Sequence, residues 1–315
     1  MHKLIIIFLL ILQTINAKEI HPTFTLKSIG YVNDFVVVKD KLYAANDAGT
    51  VDIFDLKTKK IVNQIILNPT LTGRENLISP NIISVDHLNG KTLIVSIGKK
   101  AYRNVWIYEN HKLKQIMNES KKLTIKEAKF IDDEKIMLGT FGSDIILHDT
   151  TEKYNLYNSH ISQSTLGDIT LSHDKKKMIM SDESGEVKIV DVQSSQVDSR
   201  HSSQNVDNIY HVAYANGVVI TAGQDRRVGV YQDGEKDYHI KSNFMVYCVG
   251  ITPSGKTGIY SSGEQGDLQL FDTKTKQKGD VLVGHDGVIN QIHFINEKEL
   301  FSSQRANTIF FWRLH

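Results

Sequence analysis

The residue types that catalyse reactions or hold metals occur in this chain without the spacing that either chemistry requires. The 13 histidines are scattered, and there is no Gly-x-Ser-x-Gly elbow, Walker glycine loop or metal-spaced His or Cys cluster. His285 and His293 fit a turn and a strand better than a ligand pair. The acidic run 132–134 fits a solvated turn better than an acid–base pair of carboxylates. We therefore predict a protein that is not an enzyme and holds no metal.

Cys248 is the only cysteine, so an internal disulfide cannot form. It lies in the apolar run 247–251, where a free thiol packs as a small hydrophobic group. Attachment of c-type haem needs two cysteines and a histidine in close order, and that motif is absent. The sequence predicts a buried, inert thiol and no cofactor.

Short apolar runs end repeatedly in an aromatic or apolar residue followed by an acidic or polar one. From position 108 onward the copies follow one another at steps of 40 to 42 residues, and only the first step is longer. Glycines such as Gly263 and Gly266 separate the runs and can adopt the positive φ of tight hairpin turns. A period near forty with several short strands in each unit is typical of a β-propeller. The copies are Phe54-Asp55, Tyr108-Glu109, His148-Asp149, Val190-Asp191, Tyr231-Gln232, Phe271-Asp272 and Trp312-Arg313.

These repeats resemble the WD40 family, whose pattern is matched in the last repeat by Gly284-His285, Ser302 and Trp312. Ala306 stands where that family has Asp, and no repeat is complete. The resemblance covers nearly the whole chain in period. It implies an all-β, seven-bladed propeller, and it carries over no catalytic residue.

The two ends of the propeller complement each other. The alternating run 23–29 has no hairpin partner beside it, and the last repeat, ending with 307–314, has only three strands. We expect the N-terminal strand to complete the last blade, because this closes the ring and removes two free sheet edges.

Residues 1–17 have the features of an export signal. Lys3 is followed by an apolar run over 4–12 and a cleavable end at Ala17. The run is shorter than the roughly 20 residues of a membrane-spanning helix, and no cysteine follows that could carry a lipid. The sequence predicts cleavage near Ala17 and a monomeric seven-bladed propeller over 18–315 in the periplasm, without a membrane anchor. The formal charge of +1 gives no reason to expect nucleic-acid binding.

Two enlarged loops share one predicted face. The crossover 68–80 between blades one and two is longer than its counterparts, and the turn 98–104 lies beside it. Long loops in compact domains are often functional, although neutral insertion is also common. Arginine, aromatic and apolar side chains dominate interface hot spots. The candidate partner contacts in the two loops are Arg74, Leu77, Tyr102 and Arg103.

A polar position recurs in the innermost strands. In six of the seven predicted inner strands the third residue is polar, and we expect these side chains to ring the channel mouth on the face that carries the enlarged loops. Two interpretations stay open, namely the lining of a hydrated channel and a contact ring for a partner or ligand. The positions are Asn33, Ser84, Glu127, Asp168, His211 and Gln291, with Val249 as the apolar seventh.

The leading functional hypothesis is an exported, non-enzymatic protein-interaction scaffold. In size, leader and degenerate repeats the chain is similar to NapL, the WD40-like accessory proteins of periplasmic nitrate reductases. That resemblance implies a redox enzyme or its maturation machinery as partner. The alternatives are a propeller enzyme or ligand-binding protein with its site at the channel mouth, and an outer-membrane assembly propeller.

Overall fold

Successive repeats of about forty residues build seven blades, each with four antiparallel strands, and the blades form a ring. The structure is a computed structural model, which describes residues 17–71 and 77–315. The predicted all-β, seven-bladed propeller is confirmed. None of the helices in these two ranges has the length and apolar character that a membrane span requires.

The described part of the chain forms short strands separated by tight turns. In chain order they are β1 (Glu19–Ile20), β2 (Phe24–Lys27), β3 (Val32–Val38), β4 (Lys41–Asn46), β5 (Thr50–Asp55), β6 (Lys60–Ile66), β7 (Thr70–Leu71), β8 (Leu77–Ile78), β9 (Ile82–Leu88), β10 (Lys91–Ile97), β11 (Arg103–Glu109), β12 (Lys112–Met117), β13 (Ile125–Phe130), β14 (Lys135–Thr140), β15 (Asp144–Asp149), β16 (Tyr154–His160), β17 (Leu166–Leu171), β18 (Lys177–Asp182), β19 (Val187–Asp191), β20 (Val197–His201), β21 (Ile209–Ala215), β22 (Val218–Gly223), β23 (Arg227–Gln232), β24 (Tyr238–Lys241), β25 (Val249–Ile251), β26 (Thr257–Ser262), β27 (Asp267–Asp272), β28 (Lys278–Leu282), β29 (Ile289–Phe294), β30 (Glu299–Gln304) and β31 (Thr308–Arg313). Single 3₁₀ turns lie at Lys99–Ala101 and Glu119–Lys121.

The blades follow the chain order. Blade one is β3–β6, blade two β9–β12, blade three β13–β16, blade four β17–β20 and blade five β21–β24. Blade six is β25–β28, and blade seven is β29–β31 together with β2. The first strand of each blade is innermost and borders the central channel. The crossovers between blades and the turns between second and third strands therefore lie on one face, which we call the loop face.

The N-terminal strand closes the ring as predicted. β2 pairs antiparallel with β31, placing Phe24 opposite Phe311 and Leu26 opposite Ile309. The structure also shows a second contact, which was not predicted. β1 adds a parallel fifth strand to blade six, with Ile20 opposite Leu282. Two residues are too few to show strand periodicity in a sequence. The segment 18–27 thus pairs with the last two blades and bridges them.

Apolar side chains pack in layers between neighbouring blades. Tyr43 and Ile53 of blade one, for example, pack with Val85 and Ile94 of blade two. The second strands of the blades are covered on both sides by such layers, so their residues are buried almost without alternation. This explains why the sequence shows short apolar runs more clearly than a period of two.

The glycine corner of blade six has the backbone that its sequence predicts. Gly263 has φ 72° and Gly266 has φ 80°, in the turn that joins β26 to β27. A Cβ on Gly266 would lie 2.5 Å from the carbonyl oxygen of Gly287. Both the left-handed backbone and this close approach therefore require glycine there.

The polar pattern of the last repeat forms a hydrogen-bonded group inside blade seven. His285 Nε2 lies 2.9 Å from Ser302 Oγ, and Trp312 Nε1 donates to the same oxygen at 2.7 Å. All three residues are buried. Blade one carries a different group in the corresponding place, where Ser28 Oγ donates to Asp52 at 2.7 Å and Asn46 contacts both residues. The degenerate repeats therefore keep a polar network between strands while changing the residues that make it.

Candidate functional site

A one-residue bulge near the start of the inner strands positions the channel side chains. In blade four, for example, Leu166 pairs with Asp182 while Asp168 pairs with Ser181, so Gly167 is left out of the register. The same shift occurs in the inner strands of blades one, two, three, five and seven. Because a bulge moves every later side chain by one place, it decides which residue enters the ring.

The predicted polar ring is correct at five positions and wrong at two. Ser84, Glu127, Asp168, His211 and Gln291 each directly follow the bulge of their strand.

In blade one the bulge is Asn33, so Asp34 takes the ring position instead. In blade six Cys248 takes the place assigned to Val249, because its carbonyl oxygen accepts the Ser261 N–H in the same register. The spacing of the repeats does not reveal such a shift in register, because a bulge moves side chains without changing the repeat length.

Most ring side chains accept a backbone N–H from the inner strand of the next blade. Val85 N–H donates to Asp34 Oδ2 at 2.8 Å, and Val212 N–H donates to Asp168 Oδ2 at 2.9 Å. The same contact joins Ala128 N–H to Ser84 Oγ at 3.2 Å, and Phe35 N–H to Gln291 Oε1 at 2.8 Å. The ring therefore satisfies donors on the exposed edge of each inner strand and ties neighbouring blades together. This explains its polarity without a ligand.

Blades three to five add a cluster of charged side chains to the ring. Lys129 Nζ lies 2.7 Å from Glu127 Oε1, and His211 Nε2 lies 3.7 Å from Asp168 Oδ2. Each of these side chains is 14 to 22% exposed, because it faces the channel and is enclosed by protein elsewhere. Glu127 and Asp168 also share a side-chain hydrogen bond.

Enclosure sets the protonation of this cluster. Burial, and then the charge of Glu127, raises the pKa of Asp168 well above its usual value. Burial would also raise the pKa of Glu127, but Lys129 and the hydrogen bond from Asp168 hold it below its usual value. Burial lowers the pKa of His211 to about 4. At neutral pH the imidazole of His211 is thus neutral, and the Glu127–Lys129 ion pair lies beside a carboxyl group, Asp168, whose neutral form is favoured by burial.

The ring forms the waist of the channel, and the prediction that it lies at the mouth is wrong. Cavities of about 440 Å³ and 200 Å³ lie on either side, and both are lined by Glu127, Asp168, His211 and Gln291. The smaller one opens toward the loop face, where the bulge residues surround it. They include Asn33, Ile83, Lys126, Gly167, Tyr210 and Asn290.

The structure separates the four loop candidates. Arg74 lies outside the described residues. Leu77 belongs to β8, which pairs antiparallel with β7 in the crossover, and it is 68% exposed. Tyr102 is half-buried and follows the 3₁₀ turn. Arg103 was predicted to lie in a loop, but it is the first residue of β11. It is only 8% exposed.

Arg103 lines a third cavity, of about 540 Å³, at the loop-face end of the channel. We call this cavity the mouth groove. Its other lining residues come from the inner strands, crossovers and turns of blades seven, one, two and three, a grouping that no single repeat reveals. They are Tyr31, Val32, Asn33, Asp47, Asn81, Ile83, Lys126, Phe141, Asn290 and Arg305.

Metal-binding geometry is not found in residues 17–71 and 77–315, where no three His, Cys, Asp or Glu side chains converge suitably. Cys248 is buried as predicted. Burial, and then the nearby Asp168, raises the pKa of its thiol well above the usual value, which disfavours the reactive thiolate.

Comparison with known proteins supports the fold alone. The chain matches no protein-family model and no curated protein. Among solved structures, it is similar to the β-propeller domain of Cps50 (Swd1) from Myceliophteria thermophila, with a TM-score of 0.73 and 14% sequence identity. The match covers 93% of this chain and 99% of the other. The fold is thus a seven-bladed β-propeller.

Proposed function

We propose that this protein is a non-enzymatic scaffold that binds a partner protein on its loop face. The supporting observation is the distribution of exposed apolar side chains. The described chain has ten large apolar side chains that are exposed, and six of them lie in crossovers or turns of the loop face. These are Ile29, Tyr31, Leu77, Ile78, Phe141 and Val206, whereas Val62, Ile66, Tyr154 and Leu156 lie in outer strands.

These six side chains are well suited to an interface. Tyr31 is 59% exposed, Leu77 68% and Val206 66%. Apolar side chains that collect on one face of a soluble protein often mark a binding surface, and aromatic residues contribute strongly to interface hot spots. The turns of the opposite face offer mainly charged and polar residues such as Asp133 and Lys176.

The test is capture of partners by purified protein carrying residues 18–315, followed by cross-linking and mass spectrometry. Truncating a hot spot costs about 2 kcal/mol, or roughly thirtyfold in affinity. Tyr31→Ala and Leu77→Ala should therefore reduce capture, and cross-links should map to the loop face. Asp133→Ala and Lys176→Ala are the controls on the opposite face. The proposal would be overturned if the control variants abolished partner capture while the loop-face variants left it intact.

Export to the periplasm is part of the proposal and rests on residues 1–17. Mass spectrometry of the protein from its native cells should give an N-terminus near Lys18 and place the protein in the soluble periplasmic fraction. A retained leader in the membrane pellet would contradict this. The narrower hypothesis, support of a periplasmic nitrate reductase, rests on size, leader and repeats. Co-purification with that reductase, or lower reductase activity when the gene is deleted, would support it.

A second candidate function is the binding of a small ligand in the channel. The cluster of Glu127, Lys129, Asp168 and His211 beside the 440 Å³ cavity favours it, because convergent polar groups in a cavity of this size are typical of ligand sites. Native mass spectrometry of protein purified without denaturation would reveal a retained molecule. If no small molecule is retained and a partner protein is captured specifically, the scaffold function is favoured.

A further inference from the structure

Arg103 is a buried cation that has no charged partner in residues 17–71 and 77–315. Its residue is only 8% exposed, and no carboxylate among the described residues forms an ion pair with it. Nη1 donates to the carbonyl oxygen of Ala101, and the guanidinium lies 5.7 Å from the ring centre of Phe141. Its Nε has no hydrogen-bond partner in the described chain. A buried guanidinium normally pairs with an anion, because leaving its charge uncompensated is costly.

Two further cations line the same groove. Lys126 Nζ donates to the carbonyl oxygens of Leu166 and Gly167 and lies 5.5 Å from the Phe141 ring. Arg305 is exposed at the turn between β30 and β31. Within residues 17–71 and 77–315, neither forms a salt bridge.

The groove therefore has an excess of positive charge. Among the described residues of the lining there are three cations, Arg103, Lys126 and Arg305, and one carboxylate, Asp47. One oxygen of Asp47 already accepts the Tyr31 N–H at 2.8 Å. Because the whole chain has a formal charge of only +1, this excess is a local property of the groove.

The rim of the groove is apolar. Tyr31 is 59% exposed and Phe141 is 38% exposed, and Ile83 is a further apolar residue of the lining. A cavity of about 540 Å³ has room for a few side chains. An occupant that fits both features carries negative charges next to apolar groups.

We propose that the mouth groove binds an acidic, extended segment of the partner protein, whose carboxylates pair with Arg103 and Arg305 while an apolar side chain packs between Tyr31 and Phe141. Guanidinium groups match carboxylates in planar, two-point hydrogen bonds. A nucleic acid would require a longer basic track along its backbone. This inference rests on the proposed scaffold function and names the chemistry of its partner.

The experiment compares two pools of short fluorescent peptides by anisotropy, using protein that carries residues 18–315. One pool alternates Asp and Glu with random apolar residues, and the other has Asn and Gln in the acidic places. The affinity of the protein for the acidic pool should exceed its affinity for the Asn and Gln pool by about tenfold or more, as expected of a charge-assisted hydrogen bond. Arg305→Gln should remove most of this preference, and Arg103→Gln should do the same if the variant folds. The matched control, Arg226→Gln, changes an exposed arginine of the blade-five turn on the same face and should leave binding unchanged.

Several results would overturn the inference. Equal binding of both pools, or equal effects of Arg305→Gln and Arg226→Gln, would show that the groove does not select carboxylates. Tighter binding of single-stranded DNA than of the acidic pool would favour a nucleic acid instead. Glu75 belongs to the crossover 68–80 and lies outside the described residues. If Glu75→Gln lowered thermal stability as much as Arg103→Gln, Glu75 would be an internal partner of Arg103. If partner capture still depended on Tyr31 while both pools failed to bind, the scaffold function would stand without this inference.

Discussion

Asp34 Oδ2 accepts the backbone N–H of Val85 at 2.8 Å, and this contact joins the inner strands of blades one and two. Asp34 faces the channel, where Lys129, Glu127 and Asp86 are the charged groups around it. Burial raises the pKa of Asp34 to about 6, while Lys129 opposes the rise and Glu127 adds to it. The ring thus places a carboxyl group where its neutral form is favoured.

This arrangement makes stability depend on pH. The folded protein holds the Asp34 proton more tightly than the unfolded chain, whose carboxyl titrates near 3.8, so this residue lowers the free energy of unfolding as pH rises from about 4 to about 6. Asp34→Asn keeps an acceptor oxygen and removes the charge. We expect it to be more stable than the parent at pH 7 and to lose part of this pH dependence in urea unfolding. Asp133→Asn, in an exposed turn, should leave the slope unchanged, and an unchanged slope in Asp34→Asn would contradict the prediction.

The N-terminal strand should contribute strongly to stability because it supplies the outer strand of blade seven. Leu26 is 1% exposed and packs in the layer that contains Phe301 and Phe311. Leu26→Ala should therefore lower the free energy of unfolding by about 2–5 kcal/mol, as measured by urea denaturation. Thr25→Ala, on the exposed side of the same strand, is the control and should have little effect. Similar values for both variants would mean that the strand is not held in the ring.

A buried ion pair in blade four gives a further prediction about stability. Lys188 Nζ contacts Asp182 and lies 2.5 Å from Glu186, and the Lys188 and Asp182 side chains are almost fully buried. Burial would raise the pKa of Asp182, but hydrogen bonds from Lys188, Ser162 and Ser184 hold it below its usual value.

Lys188→Met would leave the Asp182 carboxylate buried without its cation, and we expect a loss of about 3–5 kcal/mol. Since the pKa of Asp182 is lowered by folding, its stabilising contribution in the parent is present at neutral pH and is lost as the solution becomes acidic. The double variant Lys188→Met/Asp182→Asn should recover part of the stability in chemical denaturation. A single variant as stable as the parent would show that the pair contributes nothing.

Blade seven lacks one member of its polar network, and the gap can be filled. His285 Nδ1 has no hydrogen-bond partner among the described residues, and Ala306 occupies the position at which WD40 repeats have Asp. Ala306→Asp should supply an acceptor and stabilise the protein by about 1 kcal/mol.

The new carboxylate should also raise the pKa of His285, which burial now lowers to about 4. NMR titration of the imidazole and thermal unfolding test both effects. In a His285→Phe background the same substitution should give no gain in stability. A gain in that background would show that the carboxylate acts elsewhere.

Sequence alone was sufficient to predict the architecture. The spacing of 40 to 42 residues between strand endings established the number of blades, because each blade is a local unit of four strands joined by short turns. The unpaired run 23–29 and the three-stranded last repeat predicted the closure that Leu26 and Ile309 now make. Cys248 in an apolar run was correctly expected to be buried.

The site depended on contacts between repeats, which local patterns do not encode. One bulge exchanged Asn33 for Asp34 in the ring, since a backbone irregularity moves side chains without changing the repeat length. The burial of Arg103 and its approach to Phe141 join blades two and three. The mouth groove exists only because ring closure brings Arg305, near the end of the chain, beside Tyr31, near its start.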